Sequence, residues 1–268
     1  MPEKNEVPLL ELKGIEKSFG AVQALTGVDF EVYRGEVVGL VGDNGAGKST
    51  LIKCISGIFP IDAGEICFEG KPVTITTPKD VADLGIETVY QDLALCDNLD
   101  VVANLYLGRE KLRHGSGTLD EAAMEQRATA VLKGLSVKIP NVRTRIAALS
   151  GGQRQSVAVA RAVMWNSKLV MLDEPTAALG VAQTKMVLDL IRQLKRQGLG
   201  VVVISHNLAD VFKVVDRIVV LRLGRRVGTY CPSSASNEQV VAAITGAEFG
   251  NSEIEKGDEK EVENEQSN

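Results

Sequence analysis

The chain has 268 residues, 44% of them hydrophobic and 24% charged, which suits one large globular domain or a domain with a sub-domain. Its net charge of −5 sits at the C-terminal end: residues 249–268, "FGNSEIEKGDEKEVENEQSN", hold seven acids and two lysines, and removing them from the totals of 35 and 30 leaves 28 of each sign. The neutral body excludes the basic footprint of a nucleic-acid binder, and no run approaches the ~20 apolar residues of a membrane-spanning helix.

The start, "MPEKNEVPLL", lacks the basic opening and apolar core of a signal peptide, so cytosolic residence is expected. Cys54, Cys67, Cys96 and Cys231 form no CxxC pair, and the two histidines are too few to complete a zinc site. The acidic tail, 249–268, has almost no apolar content and is expected to be disordered.

"LLELKGIEKSF" (9–19) and "VDFEVYRG" (28–35) read as antiparallel strands with one wet face, and "EVVGLVG" (36–42) as a buried strand. "STLIKCISGIF" (49–59) continues as a helix, and "GEICFEGKPV" (64–73) as a hairpin. Residues 93–164 are richer in helix formers and read as a helical insert. Within it, "LDEAAMEQRATAVLKGL" (119–135) places Leu119, Ala122, Ala123, Ala130, Val131 and Leu135 at roughly helical spacing. Strands return with "KLVMLDE" and "GVVVISH", followed by a hairpin turning at Gly224 and a short helix at 237–246. The alternation predicts an α/β fold.

Chemistry enters at "GDNGAGKST" (42–50), where Gly42, Gly47, Lys48 and Ser49 fit GxxxxGK[ST] between a strand and a helix. Glycines let the loop of Gly42, Asp43, Asn44, Gly45, Ala46 and Gly47 turn its N–H groups onto phosphate oxygens. Lys48 then reaches the β- and γ-phosphates, the Ser49 hydroxyl ligates Mg²⁺, and Thr50 donates to the α-phosphate. "LVMLDEP" (169–175) puts two acids at the carboxyl end of a buried strand, where open α/β sheets bind ligands. Asp173 is the candidate Mg²⁺ partner and Glu174 the candidate general base.

His206 ends "GVVVIS" where that strand emerges beside the phosphates; His114, in "RHGSG", reads as exposed. Gln91, after "IETVY", is placed to sense the γ-phosphate or Mg²⁺ and to pass that state to the helical insert. Phe19 either stacks on adenine or packs in the core. A second glycine-rich turn, "LSGGQRQS" (149–156), has no lysine. The helix after it carries Val157, Ala160, Val163 and Met164, which suits docking on the core with its N-terminus outward.

Taken in order, this set resembles the ATP-binding subunits of ABC transporters: Phe19 at the adenine-stacking place, "GDNGAGKST" as Walker A, Gln91 as the Q-loop, "LSGGQ" as the signature, "LVMLDE" as Walker B and His206 as the switch histidine. The resemblance covers residues 9 to about 245 and implies a P-loop ATPase with a RecA-like core and an antiparallel β subdomain (9–92 and 165–248), and an inserted helical subdomain (93–164). It also implies ATP and Mg²⁺ as cofactors, and a head-to-tail pair in which Ser150, Gly151, Gly152 and Gln153 of one copy close over ATP on the other. Further implied partners are membrane permease subunits and, indirectly, a periplasmic sugar-binding protein, with no nucleic acid; the expected place is the cytoplasmic face of the inner membrane. "GIETVYQDLALCDNLDVVANLYLGRE" (85–110) and "EPTAALGVAQT" (174–184) look like the ATPases of bacterial importers for ribose, galactose, xylose and fructose, most like the single-domain fructose type. Where many relatives follow Walker B with SALD, this chain has Ala177-Ala178-Leu179-Gly180. The rivals are a soluble ABC ATPase of DNA repair or translation, which carries tandem units, coiled coils or basic surfaces absent here, and a nucleotide-binding regulator without hydrolysis, against which Glu174 and His206 argue.

Overall fold

Alternating polar and apolar side chains build the first hairpin from β1 (Leu10–Phe19) and β2 (Val22–Val32). The second strand starts six residues earlier than the sequence suggests, because the chain already reverses at Gly20, which has φ 58°. A computed structural model describes residues 7–115 and 117–247. The predicted acidic tail, 249–268, lies outside the described residues.

The all-buried strand β3 (Val37–Val41) leads through the glycine loop into α1 (Lys48–Ile55), which stops short of the predicted 59. β4 (Ala63–Phe68) and β5 (Lys71–Pro72) follow as a hairpin, then α2 (Pro78–Leu84), capped by Thr77 and Asp80 in a reciprocal box. After β6 (Ile86–Val89) the insert contributes α3 (Val101–Tyr106), α4 (Glu121–Gly134), a short 3₁₀ turn and α5 (Gly151–Val163). The chain returns to β7 (Leu169–Asp173), α6 (Val181–Arg196), β8 (Gly200–Ile204), α7 (Leu208–Val214), β9 (Arg217–Arg222), β10 (Arg225–Tyr230) and α8 (Asn237–Thr245). The last hairpin turns at Leu223-Gly224, both with positive φ.

The strands form a four-stranded sheet, order β2-β1-β4-β5, and a six-stranded sheet, order β10-β9-β3-β8-β7-β6. In the larger sheet all neighbours run parallel except β10. Both of its faces are covered, as parallel sheets require. Val37 and Val41, Val170 and Leu172, and Val201 and Val203 face the helices of the insert and α6. Their strand neighbours Val38, Leu40, Met171, Val202 and Ile204 face α1 and the antiparallel sheet.

Two expectations about the insert need correction. The buried face of α4 is Met124, Ala128 and Leu132, with Leu135 just beyond, while Leu119, Ala122 and Ala130 are exposed. Alanine carries too little apolar area to decide a face, and the larger methionine and leucine do. α5 is also buried on more sides than expected: Val157, Ala158, Val159, Ala160, Ala162 and Met164 are buried, whereas Val163 is only half-buried. It is sandwiched between the sheet and the rest of the insert.

Candidate active site

The parallel strands bring distant residues to one edge. Leu40 of β3 and Asp173 of β7 both pair with Ile204 of β8, and Leu172 pairs with Val89 of β6. Gly42, Gln91, Asp173–Glu174 and Ser205–His206 therefore leave the sheet side by side, at the carboxyl ends where such sheets bind ligands.

The glycines of the first loop are dictated by the backbone. Gly42 has φ 156°, and a Cβ there would lie 2.3 Å from the Leu221 carbonyl oxygen. Gly47 has φ 101°, and a Cβ would meet the Ala24 oxygen at 2.9 Å. Gly45 is also left-handed, at 79°, and Ala46 is buried. Asn44 N–H donates to Asp43 Oδ1 at 2.7 Å. A cavity of about 410 Å³ is lined by Asn44 to Thr50, Ser49 included, and faces Val22, Gln23 and Ala24 of β2.

Lys48 arches back over this loop, its Nζ donating to Gly42 O at 2.7 Å and Asp43 O at 3.0 Å. Burial pushes its pKa down, opposed by the carboxylates of Glu174, Asp43 and Asp173. Across the gap, burial pushes the Asp173 carboxyl up, the Glu174 charge adds to that, and Lys48 opposes it. The site is an electrostatically loaded cluster of unlike charges partly withdrawn from water.

Glu174 has φ 49°, a strained conformation for a non-glycine residue. Its N–H extends the ladder to Ile204 O at 2.9 Å. Its Oε1 accepts from the His206 N–H at 3.1 Å and lies 2.9 Å from His206 Nδ1. Ser205 Oγ donates to Oε2 at 3.4 Å, and Asn207 N–H donates to Ser205 Oγ at 3.0 Å. The Glu174 side chain is 16% exposed and the imidazole 74%, so the carboxylate is aimed by its neighbours while the histidine stays open to a ligand. This pairing of Glu174 with His206 and Ser205 was not visible in the sequence, since strand register alone sets it.

Gln91 is exposed two residues beyond the Val89–Leu172 pair. Phe19 stands on the other sheet, 43% exposed, edge-on to Phe59 with centroids 5.0 Å apart. That exposure removes the core-packing alternative, and Phe19 lies across the hairpin from Val22, which lines the cavity. His114 is exposed, as expected.

The second turn stands apart from this group. Ser150 is the N-cap of α5: its Oγ accepts from Gln153 N–H at 3.3 Å, and Gln153 Oε1 accepts from Ser150 N–H at 2.9 Å. Gln153 Nε2 donates to Lys138 O at 3.3 Å. A Cβ on Gly151 would meet Leu179 at 2.9 Å, and one on Gly152 would meet Gln183 at 3.0 Å. Gly152 is accordingly buried, while Ser150 is exposed.

Among the described residues no cluster of three or more His, Cys, Asp or Glu side chains could cage a metal. Of the oxygen donors expected for a metal, the Ser49 hydroxyl lines the loop cavity, the Asp173 carboxylate lies within electrostatic reach of Lys48, and Gln91 is exposed just beyond β6. Such a sparse set of hard oxygens fits Mg²⁺, which keeps its waters and shares phosphate oxygens.

Residues 25–177 match the family model described as "ABC transporter". The chain belongs to the ABC transporter family. Relatives within this family include the fructose import ATP-binding protein FrcA of Rhizobium meliloti, 48% identical over 246 residues, covering 90% of this chain and 95% of that protein. The xylose/arabinose import ATP-binding protein XylG of Sulfolobus acidocaldarius is 46% identical, covering 90% and 96%. The ribose import ATP-binding protein RbsA of Burkholderia pseudomallei is 43% identical, but the match spans 47% of its length. Among solved ABC structures, an ATP-binding cassette in its ADP conformation superposes with a TM-score of 0.75 at 26% identity, covering 90% of this chain and 96% of that one. A dimeric bacterial ABC transporter cassette gives 0.70 at 25% identity, covering 83% and 98%.

Proposed function

We propose that this chain is the ATP-hydrolysing subunit of an importer for a monosaccharide. The observation that carries the reading is the Glu174 carboxylate, held by His206 and Ser205 at the strand edge facing the loop of Lys48. Phosphoryl transfer to water asks mainly for positioning and charge neutralisation. The loop N–H groups and Lys48 hold the triphosphate. The Ser49, Asp173 and Gln91 oxygens would hold Mg²⁺, which would supply charge neutralisation to the bound triphosphate. Glu174 orients the attacking water and accepts its proton, and His206 fixes the carboxylate and donates toward the developing charge. Phe19 stacks on the base.

The second turn acts on another copy of the chain. Ser150, Gly151, Gly152 and Gln153 offer the positive end of α5 to the partner's γ-phosphate, and no lysine is needed because Lys48 already supplies one. No helix among the described residues is long and apolar enough to cross a membrane. Attachment to the cytoplasmic face of the membrane is through permease subunits, fed by a periplasmic sugar-binding protein. The permease would place its coupling helix in a groove between the helical insert and the core. The names of the relatives support a sugar such as fructose, xylose or ribose as cargo.

Glu174→Gln tests the chemistry: phosphate release falls roughly 10²-fold or more while ATP still binds. Near-normal turnover in that variant removes Glu174 as the base. A strain lacking the protein that grows normally on every monosaccharide removes the cargo assignment.

A further inference from the structure

Residues 92–100 join Gln91 to α3 without helix or strand, and side chains hold their backbone. The guanidinium of Arg161, on α5, donates from Nη1 to Ala94 O at 2.7 Å and from Nη2 to Leu93 O at 2.9 Å. Ala94 has φ 48°, left-handed for a non-glycine residue, and its carbonyl takes the shorter bond. At the other end Asn104 of α3 is fully buried; it accepts from Cys96 N–H at 2.7 Å and donates to Cys96 O and Asp100 O at 3.1 and 2.9 Å. Arg154, in the first turn of α5, lies 3.9 Å from Asp97. The segment therefore runs along α5 from Arg161 back toward the Ser150 turn.

α5 is a single 13-residue helix with Ser150 as its N-cap. Ser150 and Arg161 are eleven residues apart, about 16 Å along the axis at ~1.5 Å per residue. A planar guanidinium forked onto two successive carbonyls fixes orientation as well as position. We propose that Arg161 is the positioning residue that fastens the segment after Gln91 to the signature helix, so that a displacement at Gln91 carries the Ser150–Gln153 turn with it as one body. This rests on the reading of Gln91 and the Ser150 turn as nucleotide-responsive elements. Arg161 reaches the segment through the Leu93 and Ala94 carbonyls, and its charge also interacts with Glu87 on β6.

The test is amide hydrogen exchange of the full chain in a Glu174→Gln background, with and without ATP and Mg²⁺, followed in peptides spanning 90–100 and 149–156. In the parent, ATP slows exchange in both. With Arg161→Lys added, a point charge replaces the fork: the 90–100 peptide still responds and the 149–156 peptide does not. In the otherwise native chain, Arg161→Lys lowers turnover about tenfold with ATP affinity within about twofold, the scale of couplings carried by packed networks. A purely structural role would instead lower both together. Arg161→Gln, which keeps one donor and buries no charge, gives the same split if the lysine variant unfolds. An intact 149–156 response with normal turnover overturns the proposal. A parent whose 90–100 peptide ignores ATP removes the reading of Gln91, and the proposal falls with it.

Discussion

The turn at Gly42–Thr50 and the turn at Ser150–Gln153 both run glycines into a helix, but the glycines are there for different reasons. In the first they take left-handed φ values and lie against backbone oxygens of Leu221 and Ala24. In the second their φ values are not positive, and what presses on them is the side chains of Leu179 and Gln183. One turn needs glycine for its own conformation; the other needs it to let α6 approach. The first is also loaded with charge, while the second ties Ser150 to Gln153 and Gln153 to the Lys138 carbonyl. Similar letters thus encode a turn fixed by its own backbone and a helix end closely backed by α6.

The contrast breaks first at Gly42. Gly42→Ala sets a Cβ against a carbonyl that cannot yield, and the loop must deform at a cost of ~1–3 kcal/mol or more. ATP affinity, read by titration calorimetry, falls at least about tenfold. Ser150→Ala removes a cap worth about 1 kcal/mol of helix stability. It leaves ATP binding to the same chain intact and lowers hydrolysis, which an equilibrium binding assay beside a phosphate-release assay separates.

Asp173→Asn sharpens the electrostatic half of the comparison. Burial and Glu174 raise the Asp173 carboxyl above its ordinary value. Such a group favours the folded state most below its unfolded pKa and loses that contribution as pH rises through the folded one. At neutral pH the charged Asp173 is therefore a liability in the unliganded chain. Asp173→Asn raises the melting midpoint without ligand and removes the stabilisation by ATP and Mg²⁺. An unchanged midpoint counts against the charge argument.

The smallest effect is at Gly180. It is the N-cap of α6, with φ −71°, no side-chain cap, and nothing within 4 Å of where a Cβ would stand. The N3 residue of α6 is Gln183, ready for a capping box. Gly180→Asp stabilises by only a few tenths of a kcal/mol, since glycine is itself a tolerable cap. The acid that many relatives keep is thus not excluded by the fold, and a denaturant midpoint that falls in the variant would contradict this.

What the sequence made legible was local. The phosphate loop, the strand ending at Asp173 and the strand ending before His206 each declare themselves within a few residues. The capping boxes at Ser150–Gln153 and Thr77–Asp80, and with the latter the helix α2, are also local, but the sequence reading passed over them. What stayed hidden depends on contacts between distant segments. Nothing near Asn104 or Arg161 in sequence says that they hold residues 93–100. The face of α4 went astray because its alanines outnumber the two large side chains that decide burial.

The helices of the insert and the far face of the six-stranded sheet share one buried cluster: Val101, Leu105, Met124 and Leu132 belong with Val170, Val187 and Val201. The insert has no interior of its own. Expressed as a separate fragment, residues 93–164 would have only half of each interface and would not hold a fold. Kept in the chain, they are expected to melt in one transition with the strands of the larger sheet that they cover, which scanning calorimetry checks, so that damage to the insert reaches the carboxyl edge of that sheet without touching it.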